Sequence, residues 1–503
     1  MSIKSFAEYY HQETKYSPEG LSRNQRQLDW SKQPLPFKEY KKGKKVELAP
    51  FISKKKEDKK KEKELTAEGK NLEKLSKLLY YTNGITALVP YSSPLLLRAS
   101  PSAGGLYPTE IYVVSNGFKG LEDGVYNFQV KTHSLLEFWD GNIWENLKKS
   151  CFNHPSFDKA NLSIIFTSIF YRSSWRYEDR AYRRILLDTG HVIGNLMIYS
   201  PFVGQYASLV GGFVDNEIND LLWLDKNEEG VLSVINLSEQ KQENITSATL
   251  SSKILKEEHT KNNLLLNFHN SGRISSIADT KEKKDKNIIP TQNKFSFTFG
   301  EQLNPGIIDW DKKIENTILE RRSTRAFSGD ALTREELGKI LSFSYHPEMY
   351  EEQGFDPKPD SFDDSLVETY IAVTEVEGLE DGCYYYSSAK KELRQIRFKN
   401  FREELYYLCL GQELGRDASV VIFHTVNLPN AIQKYGERAY RYLHLDAGII
   451  GQRLNLACIK MKLGVSGIGG FFDDQVNELL GIPETEAVLY ITTIGRPFVT
   501  DTF

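Results

Sequence analysis

Tyr177-Glu-Asp-Arg-Ala-Tyr-Arg183 recurs as Tyr435-Gly-Glu-Arg-Ala-Tyr-Arg441, 258 residues further along the chain. The same offset relates Gly120-Leu-Glu-Asp-Gly124 to Gly378-Leu-Glu-Asp-Gly382, and Gly211-Gly-Phe-Val-Asp215 to Gly469-Gly-Phe-Phe-Asp473. Three matches at one spacing point to a tandem duplicate, a dimer fused into one polypeptide. The length agrees, because 503 residues exceed what one ordinary core holds. Residues 1–65 read as a polar arm, 66–238 as a first half, 239–303 as a polar, partly disordered linker, and 304–503 as a second half.

Within the first half, Leu72, Leu75, Leu78 and Leu79 have helical spacing. Ile111–Val114, Ser163–Phe170 and Val231–Leu237 read as strands, and Ile185, Val192, Ile193 and Leu196 share one face of a long helix. The two lysine-rich runs, Lys41–Lys45 and Lys54–Glu64, are diluted by acids in the second case and read as solvated linker.

Composition narrows the function classes. A net charge of −4 gives no electrostatic footprint for nucleic acid. Cys151, Cys383, Cys409 and Cys458 are scattered, with no CxxC pair and no His-rich spacing, so neither a metal site nor a disulfide framework is expected. No apolar run approaches the roughly 20 residues that span a bilayer. Met1–Tyr10 lacks the apolar core of a signal peptide, and the expectation is a cytoplasmic protein without a membrane partner.

The two halves differ where chemistry is expected. The first carries Ser100-Pro-Ser-Ala-Gly-Gly-Leu-Tyr-Pro108, a loop whose glycines allow close approach to a flat ligand. Its counterpart in the second half, Pro359-Asp-Ser-Phe-Asp-Asp364, has lost the Ser-Ala-Gly-Gly. Conversely, the second half carries Arg321-Arg-Ser-Thr-Arg-Ala-Phe327, where the first has Lys63-Glu-Leu-Thr-Ala-Glu-Gly69. Each half has kept what the other lost, as expected when one site draws on both halves and its symmetry mate has decayed. Guanidinium forks and hydroxyls suit a phosphate, although an arginine cluster alone reads first as a solvated helix face. Ser466-Gly-Ile-Gly-Gly-Phe471 is a second glycine-rich approach, and Arg496 closes a strand-like run from Val488. Arg180, Arg438, Tyr182 and Tyr440, kept in both halves, read as structural.

Arg321–Phe327, Gly469-Gly-Phe471 and Gly495-Arg-Pro497 resemble the FMN-binding signatures of the nitroreductase superfamily. Ser100–Pro108 and Lys434-Tyr-Gly-Glu-Arg-Ala-Tyr-Arg441 resemble the SagB-type, or cyanobactin-oxidase-type, thiazoline/oxazoline dehydrogenases of that superfamily. The resemblance implies an α+β, tandem duplicated nitroreductase-like fold forming an intramolecular pseudo-dimer, with one FMN at the junction. It implies phosphate contacts from Arg321, Arg322, Ser323, Arg325 and Arg496. Ring contacts would come from Ile468, Gly469 and Gly470 and, across the junction, from Ser100, Pro101, Ser102, Ala103 and Gly104. It also implies oxidation of azoline rings in a ribosomally made peptide, in company with a cyclodehydratase or another pathway enzyme.

The catalytic candidates by resemblance are Lys434, Tyr435 and Tyr177. The family's Lys-Tyr pair falls on Lys434-Tyr435 in the second half but on Arg176-Tyr177 in the first. Which pair faces the flavin is left open by the sequence, and it matters because an arginine stays protonated and makes a poor base. Two other readings stand beside this one: an NAD(P)H-dependent flavin oxidoreductase acting on a small molecule, and a non-catalytic interaction protein on a flavoprotein scaffold.

Overall fold

The computed structural model describes residues 5–23, 26–52, 65–90, 95–241, 247, 249–255, 263–276, 294–311 and 313–498. The second lysine run lies outside the described residues.

Two seven-stranded sheets, all of whose pairings are antiparallel, repeat one topology. In the first the order is 44–47, 134–139, 124–129, 109–115, 162–169, 229–238 and 206–210. In the second it is 300–302, 392–397, 382–387, 368–373, 420–427, 486–495 and 464–468, the same sequence of strands about 258 residues on. The fold is α+β and duplicated.

Two long helices, Ala181–Tyr199 and Ala439–Lys460, join the halves. The first is buried at every position and the second through Cys458, which is why neither shows a polar face. They cross glycine to glycine. A Cβ on Gly190 would sit 2.8 Å from Gly448 Cα, and one on Gly448 would sit 2.5 Å from Leu187 O. One hydrophobic core runs through both halves.

The ends of the helices are locked by the repeated motifs. Arg180 and Arg183 donate to Asp473 of the second half at 2.7 and 2.6 Å, while Arg438 and Arg441 donate to Asp215 of the first at 2.6 and 2.7 Å. The Arg-Ala-Tyr-Arg and Gly-Gly-Phe-x-Asp signatures are thus ionic partners across the junction. Burial pushes the Asp473 and Asp215 carboxyls up, but the guanidiniums prevail and hold both below the usual range.

The stretch 239–303, expected as a partly disordered linker, has secondary structure among its described residues. It contains the helix Leu264–Ser271, the counterpart of Phe6–Glu13 near the start of the chain. Phe268 stacks on Tyr10 at 4.3 Å. His11 bonds the Tyr440 hydroxyl at 3.2 Å and His269 bonds that of Tyr182 at 3.0 Å, so each helix repeats the other's contact in the opposite half. The amides of Phe6 and Ala7 donate to Glu437, and that of Leu265 donates to Asp179. The duplicated unit therefore includes the arm. At eight residues each, these helices are too short to stand without partners, and their periodicity is correspondingly faint.

Candidate functional site

The arginine motif begins where the helix Ile314–Glu320 ends. Thr324 ties it to the strand Gly464–Ile468: its amide donates to Val465 O, and its hydroxyl accepts from Val465 N, both at 2.9 Å. Arg321 is buried and reaches across the junction. Its Nε donates to Ala99 O at 2.6 Å and its Nη2 to Arg98 O at 3.1 Å, so it grips the backbone that leads into Ser100–Gly104. Its Nη1 is buried without a described partner. Burial lowers the Arg321 pKa to about 10, leaving the group charged at neutral pH. Arg322 donates to Thr86 Oγ1 and O at 3.3 and 3.2 Å, on the first of the first half's paired strands Ile85–Val89 and Leu95–Arg98. Ser323 is half-buried and Arg325 exposed, neither with a described side-chain partner.

The loop it grips is held from below. Ser100 Oγ donates to Asn83 Oδ1 at 2.9 Å, Ser102 Oγ donates to Asp188 at 2.5 Å, and Ala103 N donates to the same carboxylate at 3.1 Å. Burial pushes Asp188 up to about 7, although these two donors and Arg184 oppose it. Pro101 is half-buried between them. Gly104 has φ 65°, and a Cβ there would lie 2.7 Å from Tyr177 Oη and 3.2 Å from Arg176 Nη1. Only glycine lets the loop pass this close beneath Tyr177 and Arg176.

Arg184, one turn before Asp188, lies 3.8 Å over the Tyr177 ring. Its Nη1 is also buried without a described partner. A Cβ on Gly469 would come within 3.1 Å of Arg184 Nε, so the glycine pair Gly469-Gly470, following the buried Ile468, lies open-faced against it. The arrangement brings residues 321–325, 99–104 and 468–470 to one junction, with two buried guanidiniums each keeping an unused donor. A flat anionic ligand fits that donor set: charge-assisted bonds for a phosphate and Cβ-free backbone for a ring.

Two of the expected ligand contacts are engaged by the protein itself. Arg496 makes a two-pronged pair with Glu336, both contacts at 2.8 Å, and donates to Ala331 O. Glu336 also closes the capping box of the helix Arg334–Tyr345. Ser100, fully buried, spends its hydroxyl proton on Asn83.

The pseudo-symmetric position in the other half is filled. Asp446, the counterpart of Asp188, accepts from Phe362 N and Asp363 N at 2.9 and 2.7 Å. Tyr442 stands where the first half has Arg184, and Phe362 stacks on it at 5.0 Å. Residues of the linker lie against these: Ser247 O accepts from Gly211 N, Thr249 Oγ1 donates to Phe362 O, and Leu250 O accepts from Tyr442 Oη. A Cβ on Gly211 would meet Thr249 at 2.9 Å. Lys434 Nζ and Tyr435 Oη both bond Asp363 Oδ2, at 2.5 and 2.7 Å, on this filled side. Arg176 and Tyr177 stand beside Gly104 on the other.

Sequence reasoning does not find Arg184, Asp188 or Asn83. The Arg184/Tyr442 mismatch, one residue beyond the repeated Arg-Ala-Tyr-Arg, is the available signal. Among the described residues no cluster of His, Cys, Asp and Glu could hold a metal ion, and no helix is long and apolar enough to cross a membrane.

The Nitroreductase family pattern matches residues 53–237 and 318–496. A putative nitroreductase from Anabaena variabilis, solved by crystallography, is 47% identical, with 99% of this chain and 100% of that one aligned at a TM-score of 0.90. Putative nitroreductase MJ1384 of Methanocaldococcus jannaschii is 30% identical over 184 residues, 37% of this chain and 91% of that protein. The trifolitoxin-processing protein TfxB of Rhizobium leguminosarum bv. trifolii is 31% identical over 143 residues, 27% of this chain and 38% of that protein.

Proposed function

The chain belongs to the nitroreductase family, and from that membership we propose that it is an FMN-dependent oxidoreductase of the SagB type, oxidising thiazoline or oxazoline rings in a ribosomally made peptide to azoles. Members of the family bind flavin. The observation that carries the flavin reading is the seat of Arg321: a guanidinium of one half held on two carbonyls of the other, with a buried Nη1 still to be paired. The peptide reading is supported by the likeness to TfxB, a trifolitoxin-processing protein.

In this reading Arg321, Arg322, Ser323 and Arg325 hold the phosphate, with Arg496 joining them on release from Glu336. Gly469 and Gly470, and from the other half Ser102 to Gly104, would give the ring its Cβ-free approach. When bound, FMN would supply a two-electron acceptor for the hydride removed from the substrate, and the proton lost with it would pass to water, since Arg176 and the protonated Tyr177 cannot take it. Tyr177 stands on the reacting side, where burial raises its pKa against the opposition of Arg184 and Arg176, so the phenol keeps its proton and orients substrate by donating it. Asp188 fixes the loop on which Gly104 sits. Lys434 and Tyr435 serve the filled side through Asp363. A cyclodehydratase that makes the azoline is the expected pathway partner.

The second reading, NAD(P)H-dependent reduction of a small molecule, is favoured by one observation: the residue beside Tyr177 is Arg176, which cannot take up a proton as a lysine could. The test has two arms. The purified protein is examined for a flavin spectrum and its flavin-to-chain ratio. It is then mixed aerobically with an azoline-bearing peptide and, separately, anaerobically with NADPH. Loss of two hydrogens per ring supports the proposal; bleaching by NADPH with no change in the peptide selects the second reading; a protein that takes up no FMN overturns both.

A further inference from the structure

The decayed half contains a cavity of about 300 Å³ that has no part in the site above. It lies under the loop that replaced Ser-Ala-Gly-Gly, and Pro359, Asp360, Ser361 and Asp364 of that loop line it. Arg453, from the second long helix, lines it from within. Arg453 is 7% exposed. Its one described hydrogen bond runs from Nε to Phe343 O at 3.1 Å, and it forms no ion pair among the described residues. The guanidinium also lies 5.3 Å over the Phe343 ring, and Asp356 and Asp364 act on it electrostatically, but its terminal nitrogens have no described hydrogen-bond partner and stay able to bind an anion in the cavity.

The lining also carries the opposite sign. Asp360, half-buried, accepts from Leu209 N at 2.9 Å, and Asp364, exposed, accepts from Ser361 Oγ at 3.0 Å. Each carboxylate keeps further acceptor capacity toward the mouth. The apolar part of the lining is Ile449, Ile450 and Met197, with Tyr345. His346, Glu368 and Asp446 also border the space; Asp446 is occupied with the Phe362 and Asp363 amides. None of this charge is inherited from the repeat. The first half has Ser102, Leu106 and Asn195 where the second has Asp360, Asp364 and Arg453. Asn195 is consumed by Thr82 O and Gln452. The polarity arose in the half that lost the flavin loop.

We propose that this cavity binds a small zwitterion of amino-acid or dipeptide size, its carboxylate on Arg453 and its ammonium at Asp360 and Asp364. The volume lies at the lower end of small-molecule pockets, which start at about 300 Å³. Arg453 is buried while Asp360 is half-buried and Asp364 exposed, so the lining carries a deeper cation and shallower carboxylates, and a ligand with one charge answers only one of them. The inference does not depend on the substrate proposed for the flavin site.

The test is isothermal titration of the flavin-loaded protein with four probes at millimolar concentration: γ-aminobutyrate, glycylglycine, butyrate and n-butylamine. One or both zwitterions are expected to bind, and at least about tenfold more tightly than butyrate or butylamine. Arg453→Gln should abolish the binding with the flavin-to-chain ratio unchanged. Should that variant fail to fold, Arg453→Lys, which keeps the charge, should bind more weakly but still prefer the zwitterions. Asp364→Asn should narrow the margin over butyrate. Failure of all four probes, equal binding of butyrate and the zwitterions, or an unaltered Arg453→Gln titration overturns the proposal.

Discussion

Arg183 donates to Asp473 across the junction at 2.6 Å with both side chains almost wholly buried, and Arg441 repeats the contact to Asp215 at 2.7 Å. The two pairs differ in what lies beside them. Arg180, which shares Asp473, also reaches the carbonyl of Gly469 at 3.4 Å. Arg438, which shares Asp215, contacts Gly272 O instead. Breaking a buried pair by removing one partner costs about 3–5 kcal/mol. Asp473→Ala and Asp215→Ala should therefore lower stability to denaturant by similar amounts. Only Asp473→Ala should also loosen flavin, because its arginine neighbours border the glycine loop. Equal flavin retention in both variants would detach Asp473 from the site.

Gly448 admits no side chain. With Leu187 O 2.5 Å from a Cβ at this position, Gly448→Ala forces the two long helices apart. Overpacking of this kind costs about 1–3 kcal/mol, and the loss should appear as one cooperative transition shifted downward, since the core is shared by both halves. Separate transitions for the two halves would show that the junction is not part of a common core.

Arg321→Ala removes both the bonds to Ala99 and Arg98 and the free Nη1. A hydrogen bond to a charged group contributes about 1.5–3 kcal/mol, so FMN retention should weaken about 10- to 100-fold. The wild-type ratio should be one flavin per chain, because Thr249, Leu250 and Phe362 fill the pseudo-equivalent space. Two stoichiometric flavins per chain would contradict that filling.

The duplication and the complementary loss of motifs are legible in the sequence because they rest on contiguous residues. The repeated arms are not. Tyr10-His11 and Phe268-His269 match over two positions inside polar surroundings, and helices this short take their stability from Tyr440 and Tyr182 rather than from their own pattern. Arg496 reads as available in the sequence because its partner, Glu336, stands 160 positions away and is itself fixed by a helix cap. The filling of the second position is not readable either. It depends on the linker folding back on Gly211, and a backbone contact of that kind leaves no residue-type signature.

Asp188 predicts a pH dependence. Its folded-state pKa, about 7, lies above the ordinary carboxyl value of 3.8, so between those values the folded protein holds a proton that the unfolded chain has released. Stability contributed at this position is present at low pH and declines as pH rises from about 4 to about 7, by at most about 1.4 kcal/mol for each pH step of one across that window. Asp188→Asn keeps an acceptor for Ser102 and Ala103 but cannot ionise. Its stability relative to wild type should improve steadily from about pH 5 to about pH 7 in parallel denaturant titrations and level off above. A constant difference across that range would mean that the carboxyl titrates normally.

Arg176 offers the sharpest discrimination between the two functional readings. It lies beside Tyr177 and over Gly104, where the resemblance to azoline dehydrogenases calls for a lysine. A guanidinium stays protonated and can only donate, whereas an amine near other cations can give up its proton and then accept one. General-base assistance is worth about 10²–10⁴-fold. If the protein oxidises azolines without that assistance, Arg176→Lys should raise turnover of an azoline peptide at least about tenfold, with a new rise toward alkaline pH that reports the lysine. Tyr177→Phe in the same background should remove much of the gain, since the phenol orients the ring being oxidised. If the protein instead reduces a small acceptor with NAD(P)H, Arg176→Lys should leave azoline peptides untouched and alter only the nucleotide step, because the arginine's positive charge then faces a phosphate rather than a proton.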